Sequence, residues 1–378
     1  MLHNVTLVRL ISTYILVTYH ARAILFALGL GDAEFESMRA GTDLFIVCSA
    51  FLTTHVNSRK PISAWDFLRK RLVRIVPLYW VMTFAVFLLV LIAPHIASST
   101  KSDTGELMMS LFFIPYMKES HLVQPIVFVA WTLNLIMLFS LIYALSIALV
   151  GIKRAWMAAM VMVCVLVACG EAFSPKSVAL EFYSDPLLVE FLFGLAISRF
   201  SGTLLSSPPP GRGRSLGIAL CCGIAALALA AIVARPHLWP DLHRTFAYGV
   251  PCAALLCVAI RLDAHGVSAR APVLQTLAGY AYAIYLSHFF ATGFFGLILV
   301  KYSPATPPFA FAFLLLTLVT ATLVGVLLNH LVEQPLFALF DRSGLTFRER
   351  IDTAIGRPLL VAADRLRGGG LTRRAGRP

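Results

Sequence analysis

Residues 9–20 read RLISTYILVTYH. Arg9 and His20 bracket ten residues that are apolar or weakly polar, so the stretch is an apolar segment with one ionisable group at each end. The rest of the chain decides whether it is a core helix or a membrane span. Of 378 residues, 59% are hydrophobic and only 13% charged, against about 25% charged in a typical soluble protein. Apolar runs recur along the whole length, which a single signal peptide would not produce. The triplet Ala21-Arg22-Ala23 is not read as a cleavage site, since removal there would discard Arg9 and His20 and leave an odd number of spans. The composition predicts an all-α, polytopic integral membrane protein.

A spanning helix needs about 20 mostly apolar residues. Ten segments qualify or nearly so: 5–28, 41–57, 75–93, 126–151, 155–170, 186–200, 215–234, 244–261, 274–300 and 308–332. Lys and Arg in the connecting loops set orientation. Arg59, Lys60, Arg69, Lys70, Arg71 and Arg74 precede the third segment, Lys153 and Arg154 follow the fourth, Arg199, Arg212 and Arg214 the sixth, and Arg261 and Arg270 the eighth. The alternate loops are acidic or nearly neutral, with Asp32, Glu34 and Glu36, then Asp103, Glu106 and Glu119, then Glu171, Glu181 and Asp185. Both termini are thus expected in the cytoplasm. A membrane domain over 1–340 would be followed by a basic cytoplasmic tail over 341–378, helical in part to about 366 and disordered beyond.

The net charge of +12 follows mostly from this topology, with attraction to anionic lipid added. Nucleic acid is not an expected partner; the lipid bilayer is. All seven cysteines lie in apolar runs, none in C-x-x-C spacing, so packing residues are expected rather than a metal site or disulfides.

Arg9 and His20 are eleven residues apart. At about 100° and about 1.5 Å per residue, they share one face of a helix and lie about 16 Å apart along its axis. That is roughly half of a ~30 Å hydrocarbon core. Ionisable groups at such depth face the bundle interior or a water-filled pathway. A column of this kind offers an anchor for a polyanion at one end and a proton acceptor at the other, since neutral imidazole is a base. The plainer alternative is that Arg9 snorkels to the headgroups and His20 hydrogen-bonds a carbonyl.

Three further stretches, GTDLFIVCSAF at 41–51, KRLVRIVPLYW at 70–80 and AGYAYAIYLSHF at 278–289, follow the R-x10-H spacing, and HLVEQPL at 330–336 closes the order. Together they resemble the membrane-bound acyltransferase-3 family, whose members O-acylate carbohydrates. WTLN at 131–134 and EFLFG at 190–194 resemble the exopolysaccharide acetyltransferase branch. The resemblance implies ten helices in a bacterial inner membrane and no permanently bound cofactor. It also implies a cytoplasmic acyl-CoA donor, acetyl-CoA in this branch, and a hydroxyl of a cell-surface or exported polysaccharide as acceptor. By it, Arg9 and His20 match the family's essential pair, Asp43 and Ser49 its second-helix motif, and Lys70, Arg71 and Arg74 the basic motif ahead of the third helix.

The residue chemistry fits these roles. Removing a proton from a hydroxyl that attacks a thioester needs a base within hydrogen-bond reach, most often His; an acyl-histidine intermediate is the rival route. Arginine forks suit the phosphates of coenzyme A. Arg71 and Arg74, three apart, would point to one side of a helix, where positive-inside anchoring is the alternative role. Asp43 either caps its helix or orients His20. Ser49, His288, Trp131 and Glu190 are candidate contacts for the acceptor sugar, with an interfacial aromatic belt the alternative for Trp131. Glu333 is expected to be a structural salt-bridge partner of the basic rim.

Two positions depart from the family pattern. Ile136 stands where W-T-L-N-x-E would place a glutamate, and Ala50 replaces the glycine of S-G-F. Losing an intramembrane carboxylate opens a second reading, a non-catalytic or transport partner of polysaccharide export machinery that keeps the scaffold. Glu190 is the one acid singled out as able to compensate from another helix. A protein O- or N-acyltransferase is a third reading, because acceptor identity is not written in these motifs.

Overall fold

The computed structural model describes residues 2–57, 61–94, 100, 102–206, 211–302 and 306–340. Among these there are helices and no named strand, with one isolated antiparallel bridge between Met117 and Val123. Ten principal helices are numbered here: α1 His3–His20, α2 Ala40–Asn57, α3 Ala64–Ile92, α4 Trp131–Val150, α5 Ala155–Phe173, α6 Val189–Arg199, α7 Arg212–Leu238, α8 Val250–Ala264, α9 Ala281–Tyr302 and α10 Pro307–Leu328. One falls in each apolar segment. The tail at 341–378, and with it the expectation of a partly helical then disordered end, lies outside the described residues, as do Arg59 and Lys60.

Seven helical units are long and apolar enough to cross a membrane, built on α3, α4, α5, α7, α8, α9 and α10. The other three expected spans fall short by that measure: α1 and α2, of 18 residues each, are long enough but carry too many polar residues, and α6 has only 11. The reason is position. Almost all of α2 and most of α6 are buried among other helices, so their faces need not match lipid and can carry Asp43, Thr53, Thr54, His55 and Glu190. The segment expected over 5–28 is α1 followed, after Ala21, by a short helix Arg22–Ala27. The segment over 274–300 is broken at Tyr280 into Pro272–Gly279 and α9.

Local chemistry explains the ends. Ser63 caps α3 by accepting from the Asp66 amide at 3.0 Å, and Gly151, at φ +73°, closes α4. Hydroxyls inside the bundle satisfy themselves on their own helix: Thr13 donates to the Arg9 carbonyl, Thr83 to Tyr79 and Ser140 to Ile136, as apolar surroundings demand. Close packing relies on absent side chains. A Cβ on Gly194 of α6 would lie 2.3 Å from the Val47 carbonyl of α2, and one on Gly325 of α10 would lie 2.8 Å from Ile284 Cα of α9. Small residues let helices approach in this way. The seven cysteines are free, Cys48, Cys221 and Cys252 of them buried.

Contacts group the helix ends into two sets. Asn4 bonds Asp263, Val267 and Ala269, Arg261 bonds Leu204 and Ser206, and Arg74 pairs with Glu333. At the opposite face, Tyr248 bonds the Glu36 carbonyl, Arg244 pairs with Asp43, and Tyr183 donates to the Phe113 carbonyl. The basic-loop ends thus cluster on one face and the acidic-loop ends on the other.

Candidate active site

The basic face holds the first cluster. Arg9 donates to the Ala278 carbonyl at 2.5 Å, at the turn where α9 is broken. On α3, Arg71 Nε donates to Ser140 Oγ at 3.1 Å, and Arg74 pairs with buried Glu333 at 3.2 Å. Asn329 holds the other Glu333 oxygen at 2.8 Å, and Gln334 in turn donates to Asn329 at 2.7 Å. Tyr282 donates to the Ile75 carbonyl, fastening α9 to α3. Arg9 lies in the electrostatic field of Arg74 and Glu333, and Arg71 in that of Arg74. Arg9 and Arg74 thus act on the Glu333 carboxylate while Arg71 lies beside Arg74, and this excess of cationic donors favours a polyanion. Glu333 is the salt-bridge partner expected for the rim. Lys70 points outward and is exposed, apart from the other two.

The second cluster gathers where α1 ends. The His20 ring lies 5.2 Å from the His288 ring of α9 and 5.3 Å from Phe128, centroid to centroid. Phe128 opens the short 3-10 turn Phe128–Ala130 that leads into α4. His288 is fully buried; its Nδ1 is 2.7 Å from the Tyr285 carbonyl, and its Nε2 has no hydrogen-bond partner among the described residues. Tyr285 ties α9 to the same turn, donating to the Val129 carbonyl and sharing a 2.5 Å bond with Thr132.

The third cluster is built on an ion pair. Asp43 is fully buried, and Arg244 grips it with two nitrogens, Nε to Oδ1 at 3.0 Å and Nη2 to Oδ2 at 2.8 Å. Asp43 sits in the first turn of a helix that begins at Ala40, so it is not the cap. Nor does it orient His20: no hydrogen bond between the two occurs among the described residues, because Arg244 occupies the carboxylate. Arg244 also lies 6.0 Å over the Trp131 ring, which meets Phe182 edge-on at 6.4 Å. Trp131 is thus part-buried between Arg244 and Phe182. Glu190 is buried in the field of Asp43 and Arg244, with neither oxygen hydrogen-bonded and Oε1 3.1 Å from where a Gly249 Cβ would be.

Not every candidate joins a cluster. Ser49 is half-buried on α2, with no hydrogen bond from its side chain among the described residues. Ile136 is buried at 3% exposure in the apolar core, one turn from Ser140 on the same helix face. Arg244, Phe128 and Tyr285 were not singled out from the sequence. Arg244 did leave a trace there, as an arginine in a loop that should be poor in them. No group of three or more potential metal ligands occurs among the described residues.

An all-helical bundle with an arginine basin and a paired histidine on one helix is consistent with a membrane acyltransferase. An acyltransferase domain matches residues 2–326, and the chain belongs to the acyltransferase-3 family. It is similar to the exopolysaccharide production protein ExoZ of Rhizobium meliloti (strain 1021), with 30% identity over 315 residues, covering 80% of this chain and 90% of that protein. No solved structure matches the chain.

Proposed function

We propose that the protein is a multi-pass inner-membrane O-acyltransferase that moves an acyl group, acetyl by its likeness to the exopolysaccharide protein, from cytoplasmic acyl-CoA to a hydroxyl of a cell-surface or exported polysaccharide. One observation carries this reading. A single helix, α1, places Arg9 in a basin of three guanidinium groups and His20 against a second histidine, about 16 Å further along the axis. In this reading the basin faces the cytoplasm and holds the phosphates of coenzyme A. The flexible pantetheine arm then runs along α1 and delivers the thioester to His20.

At that end the hydroxyl oxygen attacks the thioester carbon as His20 takes its proton. The carbon–sulfur bond breaks, and the proton passes to the departing thiolate. Trp131, Arg244 and Glu190 bound the outer side and are the groups an acceptor sugar would meet. The test is the O-acetyl content of the host's surface polysaccharide by proton NMR. A deletion strain is complemented with the wild-type chain, with His20→Ala, or with empty vector, at matched membrane levels. Signal restored by wild type and not by His20→Ala is expected. Equal signal in all three overturns polysaccharide acetylation and favours the second reading, a scaffold without chemistry, which rests on Ile136 in place of the expected acid.

A further inference from the structure

Resting on that reading, we propose that His288 is the positioning residue for His20, accepting a hydrogen bond from its ring and so holding the proton that His20 removes from the acceptor hydroxyl. The tautomer of His288 follows from its surroundings. A carbonyl oxygen only accepts, so the 2.7 Å contact between Nδ1 and the Tyr285 carbonyl puts the ring proton on Nδ1. Nε2 is then a bare lone pair, and it is buried without a partner. A buried acceptor left unpaired costs free energy and calls for a function. The His20 ring lies beside it, with a centroid separation of 5.2 Å and an interplanar angle of 36°; the two are not hydrogen-bonded in this structure, and a rotation of the His20 side chain would bring a ring N–H to that lone pair.

No carboxylate contacts the His20 ring among the described residues, and Glu190 lies beside Asp43 in the field of Arg244. Asp43 is held by Arg244, and Glu333 belongs to Arg74 at the other end of α1. A neutral lone pair also suits the site better than an acid would, because an anion buried at this depth brings its own desolvation penalty. With its N–H directed to His288 Nε2, His20 presents its other nitrogen as the free lone pair. On reaction that nitrogen gains the hydroxyl proton, and the resulting imidazolium keeps its first N–H on His288. The proton then leaves for the thiolate, returning both rings to their starting tautomers. His288 thereby does for His20 what the aspartate of a serine-protease triad does for its histidine, without a net charge.

The His288 ring is held in place before any substrate arrives. Tyr285 supplies the carbonyl for His288 and, through its hydroxyl, fastens α9 to Val129 and Thr132. The same turn presses Phe128 against His20 from another side.

Membranes bearing wild type, His20→Ala, His288→Gln and His288→Met are assayed for initial rates with labelled acetyl-CoA and alkali-deacetylated host polysaccharide. Gln and Met have nearly the same size and shape, but only the Gln oxygen offers an acceptor near the place of Nε2. Expected is a loss in kcat of about 100-fold for His288→Met, at the low end for lost proton-transfer assistance. His288→Gln should stay within about tenfold of wild type, with KM for acetyl-CoA unchanged in both because the arginine basin is untouched. Equal rates for Gln and Met at equal membrane levels and equal melting temperatures overturn the role of His288. Wild-type turnover by His20→Ala is a different failure, removing the reading of His20 itself.

Discussion

Replacing Arg244 with methionine tests whether the Asp43 pair is a buried electrostatic unit or a surface contact. Asp43 has 0% side-chain exposure and Arg244 17%, with bonds of 2.8 Å and 3.0 Å, so solvent screens the pair little. Removing one partner of such a pair strands a charge and costs roughly 3–5 kcal/mol. Here the stranded Asp43 would also face Glu190, whose oxygens have no other hydrogen-bond partner. Arg244→Met should therefore destabilise the bundle by roughly 4 kcal/mol. Asp43→Leu with Arg244→Met removes both charges and should recover most of that loss. Reversible unfolding in mixed micelles, followed by circular dichroism for wild type, both single variants and the double variant, gives the coupling energy. A single-variant cost below about 1 kcal/mol would place the pair with exposed salt bridges. Additive single costs would refute the claim that the two charges form one unit.

Gly194→Ala should destabilise by about 1–3 kcal/mol, the range for overpacking. Adding Ala50→Gly should not rescue it, since the nearest clash, at 2.3 Å, is with the Val47 carbonyl; full rescue in a melting assay would contradict this. Arg71→Ala should raise KM for acetyl-CoA by more than it lowers kcat, because it thins the basin and leaves the histidine pair intact; a pure kcat loss with labelled acetyl-CoA in membranes would count against a donor site there. Lys118, 2% exposed in the loop before Phe128, has its ammonium pushed down to about 8 by burial, with Glu106 acting the other way. Its unfolded value is about 10.4, so between about pH 8 and 10 the unfolded chain binds more protons and stability should rise with pH. Lys118→Met should lose that rise; an identical pH profile of melting temperature would exclude it.

Much of the architecture is legible along the chain. Backbone groups in lipid must pair within a segment, so a span writes itself as a continuous apolar run, and seven of the ten runs hold a helix long and apolar enough to cross a membrane. The shared face of Arg9 and His20 follows from helical period alone. So does the basic character of one set of loops, which the contacts of Asn4, Arg74 and Arg261 bring to a common face. Legibility is weakest for α1, which is polar, and for α2 and α6, which are short or polar because protein rather than lipid surrounds them.

The site itself is a product of packing. His20 meets His288 from the far end of the chain, and Asp43 meets Arg244 201 residues away. Local periodicity carries no record of such encounters. The Asp43 carboxylate could have served His20 as readily as Arg244 until the helices were placed. What the sequence determined was the set of helices, their faces and the end of α1 that carries each ionisable group. What the tertiary structure decided was which of those groups answer one another. That choice depends on how closely helices approach, and the approach depends on side chains that are missing, at Gly194 between α2 and α6 and at Gly325 between α9 and α10.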